Sequence, residues 1–404
     1  MQIPSRVGTP KSTLSVSLLA AVVLVSCAQP RPAGIPTAPA VVAQAAVALA
    51  TALPADTAAP LPPTPAPPVS KGPIAASVEQ PPEPAPPPSR SLLDLQLGEI
   101  LQLLEEIPIA RTDYGVRVAF SPDSDVVLHN GNGLMIQQFD LARGVPLQNL
   151  IGFEMFSPWT ISVSTDGSTV VADDVSRLRV WSLDSGEQLG SLDLPPVSGV
   201  VSAGFYADEF FFAADLHGNV MLWDPNGWGE IYSFNYPGLI DAAVLFPDGS
   251  AIALQDRRQQ EIGIFDLQGT RLRTIPLEHE NDLLLSVSPA GDRLLVYVDY
   301  GYATEGIRII DVASGESLLD LPLLNFRQFA VSSDWSLLAA VGVQNELRLY
   351  RLPDGQLLLA QPLEVARTLG ISMSGNAAYL ALYVFKSGNA GAAIQVWGRG
   401  SDGP

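Results

Sequence analysis

The chain has 404 residues, a formal net charge of −20 and a single cysteine. One cysteine excludes an intramolecular disulfide framework and a zinc cluster built on thiolates. Nucleic-acid binding depends on cationic side chains, so this acidic chain is expected to have no nucleic-acid partner. A basic partner or a bound cation is the natural electrostatic complement, and solubility alone is the alternative reason for the charge.

The first residues have the features of an export signal. Arg6 and Lys11 form a basic region, and the stretch from Leu14 to Val25 is largely apolar. A bilayer-spanning helix needs about 20 apolar residues, so this stretch is too short to cross a membrane. Its length suits the core of a signal peptide.

The apolar stretch ends in Leu24-Val25-Ser26-Cys27, which resembles the bacterial lipobox. The resemblance implies that residues 1–26 are a lipoprotein signal peptide and that fatty acyl chains on Cys27 hold the exported protein at a membrane. Ala28 rather than Asp follows the cysteine. The resemblance then implies the periplasmic side of the outer membrane, if the host has one, and otherwise the outer face of the plasma membrane. Ordinary secretion and an uncleaved anchor are the alternatives.

Residues 27–90 comprise the lipidated cysteine and a tether rich in proline and alanine. The proline runs 62–68 and 84–88 exclude a regular helix or a central strand. They favour a polyproline spacer of about 3.1 Å per residue. We expect a disordered linker here, and a docking ligand for a proline-binding partner is the alternative.

Residues 91–398 repeat one pattern with a period of about 42 residues. Each repeat opens with an apolar strand that runs into a turn containing proline, aspartate or glycine, which is typical of a β-hairpin. A second apolar strand, a third strand ending near a large side chain and a more polar fourth strand follow. The equivalent turn positions are Ser121, Ser164, Tyr206, Phe246, Ser288, Ser332 and Ser372.

A unit of four short strands cannot bury both of its faces alone, whereas seven units around an axis can. The repeats resemble the blades of a divergent WD40-like (WD40/YVTN-type) propeller, and Trp223-Asp224 is the dipeptide that names the family. The repeats lack the family's Gly-His dipeptide, so its histidine network is not expected. We predict an all-β fold, a seven-bladed β-propeller of four-stranded antiparallel blades over residues 91–398, with residues 399–404 as a C-terminal tail.

The seventh repeat lacks a fourth strand of its own, while Leu101–Pro108 belongs to no repeat. We predict that this N-terminal strand closes the last blade, because closure removes an open sheet edge. An amphipathic helix from Leu92 to Glu106 is the alternative. The propeller is expected to be monomeric.

The repeats carry no recognisable catalytic or metal-binding signature. His129, His217 and His279 lie in different repeats, and none has a second ligand at zinc spacing. The sequence has no Gly-x-Ser-x-Gly elbow and no glycine-rich phosphate loop. We therefore expect neither an enzyme nor a bound metal or cofactor.

In such a propeller, the loops from strand two to strand three and from strand four to the next blade share one face. Loops carry binding residues more often than strands do, and aromatic side chains flanked by polar groups are typical interface anchors. Packing of each aromatic over its own blade is the alternative. The candidate partner-binding residues are Trp159, Tyr236, Tyr300, Tyr302, Phe326, Asp174, Asp215, Asp256 and Asp299.

These features together predict a membrane-anchored, non-enzymatic protein-interaction scaffold of the bacterial cell envelope. One alternative is a solute- or glycan-binding lipoprotein, which would need clustered tryptophans on one rim. A second alternative is a propeller hydrolase or lactonase, which would need convergent carboxylates or histidines at the inner strand ends.

Overall fold

The computed structural model describes residues 91–400 except for 96–98, 111–115, 132, 154–157, 175–176, 196–198, 207–209, 257, 300–304, 324 and 390. The predicted signal peptide, the predicted lipidation site at Cys27, the tether and the C-terminal residues 401–404 lie outside the described residues. Among the described residues, no helix is long and apolar enough to cross a membrane.

The described chain is built from β-strands with two short 3-10 helices, Leu92–Asp94 and Ser387–Asn389. Blade one contains β2 Val118–Phe120, β3 Val126–His129, β4 Met135–Asp140, β5 Val145–Pro146 and β6 Leu150–Ile151. Blade two contains β7 Ile161–Val163, β8 Thr169–Asp174, β9 Arg177–Ser182 and β10 Gln188–Asp193. Blade three contains β11 Val200–Tyr206, β12 Phe210–Asp215, β13 Asn219–Trp223 and β14 Glu230–Asn235.

Blade four contains β15 Ala242–Leu245, β16 Ala251–Asp256, β17 Glu261–Asp266 and β18 Arg271–Pro276, and blade five contains β19 Leu283–Val287, β20 Arg293–Asp299, β21 Glu305–Asp311 and β22 Ser317–Pro322. Blade six contains β23 Phe326–Val331, β24 Leu337–Gly342, β25 Glu346–Arg351 and β26 Gln356–Pro362. Blade seven contains β27 Arg367–Met373, β28 Tyr379–Phe385 and β29 Ala392–Gly398, together with β1 Gln102–Ile109.

These strands form seven antiparallel sheets, which confirms the predicted seven-bladed propeller. The first strands of neighbouring blades contact one another, so they surround the axis and the fourth strands lie at the perimeter. Because successive strands reverse direction, the 1–2 and 3–4 turns share one end of the propeller, here named the turn face. The 2–3 loops and the connections between blades share the other end, here named the loop face.

The apolar core lies between the blades. Trp181 is fully buried between blades one and two, where its ring centroid lies 5.1 Å from that of Phe153. Phe205 and Phe211 pack edge to face at 4.9 Å between blades two and three. Since every blade buries apolar side chains against both neighbours, a blade does not hold its fold independently of the ring.

A serine hydroxyl fixes many of the 1–2 turns by accepting a hydrogen bond from the backbone N–H five residues later, at 2.9–3.0 Å. In blade seven this serine is Ser374, so the prediction of Ser372 as the turn position is wrong. Ser372 lies within β27 and is buried there. The serines that make this hydrogen bond are Ser121, Ser164, Ser288, Ser332 and Ser374.

The N-terminal strand closes the ring as predicted. Strand β1 pairs with β29, with Ile107 opposite Ile394, and becomes the outer strand of blade seven. The alternative helix from Leu92 to Glu106 is wrong, because Gln102–Ile109 is a β-strand that pairs with β29. Before β1, the amide of Gln361 donates to the Leu101 carbonyl at 3.0 Å and accepts from the Leu101 N–H at 2.8 Å.

Candidate interaction face

The predicted aspartates occupy corresponding positions at the loop face. Asp174, Asp215, Asp256 and Asp299 are the last residues of the second strands of blades two to five. The strand-turn pattern therefore places all four at one end of the propeller, as the sequence indicated. The contacts of their side chains could not be predicted from the sequence.

Two of these carboxylates organise their own loops. Asp215 accepts the backbone N–H groups of His217 and Asn219, both at 2.9 Å, and is 1% exposed. Asp256 accepts the Tyr236 hydroxyl at 3.0 Å and the Arg258 N–H at 2.9 Å. Burial and the neighbouring Asp256 raise the pKa of Tyr236 to about 12. Both carboxylates therefore have internal partners and are not presented to solvent.

Asp174 belongs to a buried ion pair within blade two. Its Oδ2 lies 2.7 Å from Nε of Arg179, and the two side chains are 3% and 8% exposed. The side chain of Gln188 also accepts from Arg179, at 3.3 Å. This arrangement fixes strand β9 against the end of β8.

The predicted aromatic residues divide into buried and exposed members. Tyr236 and Phe326 are 7% and 3% exposed and pack within the blades, with the Arg348 guanidinium 4.7 Å from the Phe326 ring centroid. Trp159, by contrast, is 50% exposed. Tyr300, Tyr302 and the side chain of Asp299 lie outside the described part of the chain.

The backbone at Trp159 is held by three side chains from two blades. Oδ1 of Asp173 accepts the Trp159 N–H at 2.7 Å, and Nε of Arg117 donates to the Trp159 carbonyl at 2.7 Å. Asn130 donates to the neighbouring Pro158 carbonyl, also at 2.7 Å. The exposed indole thus projects from an ordered backbone, and such ordering lowers the entropy cost of binding.

Opposite charges flank this tryptophan. The guanidinium carbon of Arg117 lies 5.7 Å from the indole centroid, within cation–π range. Burial lowers the pKa of Arg117, and attraction to Asp173 partly offsets that shift. Burial raises the pKa of Asp173, while hydrogen bonds from Thr160 and Trp159 oppose the rise. Asp173 therefore favours the charged form of Arg117.

The sequence reasoning missed Arg117, Asn130 and Asp173. Asp173 lies directly before the predicted Asp174, and the alternation of side chains along a strand places the two on opposite sides of the sheet. Arg117 and Asn130 are far apart in sequence, but an Arg117 N–H to Asn130 Oδ1 hydrogen bond of 2.7 Å joins them. Only the pairing of β2 with β3 shows that they meet.

The described residues contain no group of three or more His, Cys, Asp or Glu placed to hold a metal ion. The inner strands carry mainly apolar side chains, and serines among them join the blades. The Ser202 hydroxyl accepts the Ala243 N–H of the next blade at 3.1 Å, and Ser286 accepts the Trp335 indole N–H at 2.9 Å. These serines link neighbouring blades.

The chain folds as a seven-bladed β-propeller, and its loop face carries an ordered, half-exposed tryptophan. No family model matches the sequence, and no curated protein matches it. The structure is similar to a solved structure of hydrazine synthase from Kuenenia stuttgartiensis, with a TM-score of 0.56 and 12% sequence identity. That match covers 69% of this chain and 97% of the other chain. The likeness shows the fold alone.

Proposed function

We propose that this protein is a non-enzymatic interaction scaffold of the bacterial cell envelope, lipid-anchored through Cys27, and that its loop face binds a protein partner. Trp159 carries the proposal, because it combines 50% exposure with a backbone held by Asp173, Arg117 and Asn130. Ordered, exposed aromatic residues are frequent hot spots of protein interfaces. The acidic balance of the chain favours a basic partner.

A protein partner is favoured over a glycan by the positions of the tryptophans. Trp181, Trp223 and Trp335 are buried at 0–7% exposure, and the half-buried Trp228 and Trp397 lie at the turn face. Trp159 therefore has no second exposed tryptophan near it among the described residues. Glycan sites usually stack sugars on several aromatic rings, so one exposed ring fits a protein contact better.

Site-specific photo-cross-linking in intact cells tests this proposal. A photoreactive amino acid replaces Leu134, an exposed residue in the 2–3 loop of blade one. The expected result is one stoichiometric cross-linked protein, which is lost with Trp159→Ala and retained with Val343→Ala, an exposed loop-face residue of blade six.

Two outcomes would contradict the proposal. Recovery of the propeller alone would remove the scaffold as the leading function and favour a small solute or glycan. A cross-link that survives Trp159→Ala but is lost with Val343→Ala would exclude Trp159 as the anchor.

A further inference from the structure

A β-bulge interrupts the outer strand of every blade except blade one, close to the start of the strand. At each bulge the outer strand has one residue more than its partner, which leaves that residue outside the ladder. The extra residue is aliphatic every time. These residues are Leu104, Leu189, Ile231, Leu272, Leu318 and Leu358.

These bulges leave large apolar side chains in solvent. In five of the blades the extra residue is itself exposed, and in blade six its neighbour Leu357 is exposed while Leu358 is half-buried. We name the exposed set the bulge belt: Leu104 at 43%, Leu189 at 54%, Ile231 at 40%, Leu272 at 59%, Leu318 at 53% and Leu357 at 48%. A bulge alone would tolerate polar residues here, so exposed aliphatic side chains repeated in consecutive blades suggest an interaction surface.

The bulge belt follows the rim of the turn face. Five members lie just after a 3–4 turn, and Leu104 lies beside the end of β29, where the third strand of blade seven reaches the same face. Side chains link this rim from blade to blade. Arg273 of blade four hydrogen-bonds to the Ala313 carbonyl in the 3–4 turn of blade five. Gln148 of blade one donates to the Asp184 carbonyl of blade two at 2.5 Å. These contacts join blades four and five, and blades one and two, at this rim.

The turns beside the belt are predominantly acidic. The described acidic residues of the 1–2 and 3–4 turns are Asp123, Asp125, Asp140, Asp166, Asp184, Glu187, Asp224, Glu230, Asp248, Asp266, Asp292, Asp311, Glu316, Asp334 and Asp354. The described arginines at this end are Arg143, Arg271, Arg273, Arg293, Arg351 and Arg399. Hydrogen bonds from the Ser314 and Gln356 backbones lower the pKa of Asp311 and Asp354, which keeps both ionised at neutral pH.

We propose that the rim of the turn face docks a basic amphipathic helix of a partner protein. Its apolar side chains would cover belt residues of neighbouring blades, such as Leu272 and Leu318, and its lysines or arginines would pair with the carboxylates of the turns between them. This site lies at the opposite end of the propeller from Trp159 and does not depend on the proposed function.

Charge and backbone geometry favour this occupant over the other apolar partners. Anionic headgroups and a second copy of this acidic chain would both be repelled by the turn carboxylates. An added β-strand is disfavoured because bulges disrupt the outer edge and Pro276, Pro322 and Pro362 end three outer strands. A helix needs no edge hydrogen bonds and presents apolar and basic faces together.

The test uses the full chain with Cys27→Ser and a fluorescent synthetic peptide of about 18 residues, with leucine and lysine at helical spacing. Binding is measured by anisotropy at low and moderate salt. The double variant Leu272→Ser/Leu318→Ser is expected to weaken binding about tenfold or more. The double variant Asp311→Asn/Glu316→Gln is expected to weaken peptide binding and to make the remaining binding less dependent on salt concentration. The matched control Val343→Ser changes an equally exposed apolar residue on the loop face and should leave affinity unchanged.

Three outcomes would overturn the proposal. One is equal loss of affinity with Val343→Ser and with the double leucine variant. Another is equal binding of a leucine–glutamate peptide. The third is binding to phosphatidylcholine vesicles that the double leucine variant abolishes, which would assign the belt to a membrane. Thermal melts of each variant serve as the folding control, and we expect every variant to remain folded because the substituted positions are half-exposed.

Discussion

At the scale of single residues, the polar side chains of the loop face mainly hold backbone groups. Asp173 accepts from Trp159 and Thr160, Asn130 joins Arg117 to Pro158, and Asp215 accepts from its own loop. Aspartate often closes a turn in this way, since its short side chain reaches backbone N–H groups two residues on. A row of aspartates in the sequence therefore identifies loop ends more reliably than it identifies a binding site.

His129 makes stability depend on pH. It is 1% exposed, and burial lowers its pKa from 6.5 to about 4. Between these values the unfolded chain binds a proton that the folded protein does not, so stability falls as pH drops from 6.5 to 4. The loss from this group is about 3 kcal/mol by pH 4.

Urea unfolding of the wild type and of His129→Asn at pH 7 and pH 4 measures this effect. The stability advantage of the wild type over the variant should shrink by about 3 kcal/mol on acidification. His217→Asn, at an exposed histidine, is the control and should not change with pH in this way. A constant difference between wild type and His129→Asn would exclude the histidine as the cause.

The ion pair of Asp174 and Arg179 should cost much more to break than an exposed pair. Arg179→Met leaves a buried, uncompensated carboxylate, and we expect a loss of about 3–5 kcal/mol. Adding Asp174→Asn should recover more than half of that loss. Arg351→Met, which breaks the exposed pair with Asp354, should cost at most about 1 kcal/mol.

Chemical denaturation of the two single variants and the double variant measures the coupling between Asp174 and Arg179. If the effects of Arg179→Met and Asp174→Asn simply add, the two side chains contribute independently and the predicted pairing is wrong.

At the scale of elements, the N-terminal segment is tied to blade six as well as blade seven. Gln361 of β26 makes both hydrogen bonds to the Leu101 backbone, and Leu101 is 2% exposed. Gln361→Ala leaves a buried N–H and a buried carbonyl without these partners, which should cost about 1–3 kcal/mol.

Hydrogen exchange should show where that loss acts. The amides of β1 are expected to exchange faster in Gln361→Ala, while those of blades two to five stay unchanged. Gln356→Ala, at an exposed glutamine of the same strand, is the matched control. Uniform acceleration in every blade would mean that Gln361 supports the whole ring rather than its closure.

Periodicity predicted the blades and the closing strand because both depend on apolar alternation. The pattern of Leu101–Pro108 is typical of a strand, and repeat seven lacks a fourth strand, so the sequence predicted that the two pair. Features that depend on register were not predictable. The bulge at Leu272 arises because Arg271 and Arg273 pair with consecutive residues of β17, and no property of leucine indicates this. Ser372 and Ser374 are likewise indistinguishable until the pairing of β27 with β28 is known.

The same limit applies to the candidate site. Sequence placed Trp159 and Tyr236 on one face but could not separate the exposed ring from the buried one. Tyr236 is buried where its hydroxyl donates to the carboxylate of Asp256, which lies on the second strand of the next blade. Burial of that kind depends on contacts distant in sequence, which a single sequence does not reveal.

At the scale of the whole molecule, the two faces of the propeller differ in chemistry. The loop face presents an ordered tryptophan whose backbone contacts both Arg117 and Asp173. The turn face presents carboxylates bordered by the bulge belt. Leu92 donates to the Ala377 carbonyl, so the described chain begins at the turn face. Trp159 lies at the other end of the propeller.

Retention at a membrane tests the predicted anchor and hence the envelope function. Cys27→Ser should release the protein into the soluble fraction and abolish labelling by a clickable palmitate, because one thiol carries the lipid attachment. Ser26→Ala keeps a small residue before the cysteine and is the matched control, which should remain labelled and membrane-bound. If Cys27→Ser stays in the membrane fraction, the apolar stretch at residues 14–25 acts as an uncleaved anchor. If the unmodified chain is soluble and unlabelled, the protein is secreted without lipid, and its partner must be sought in solution.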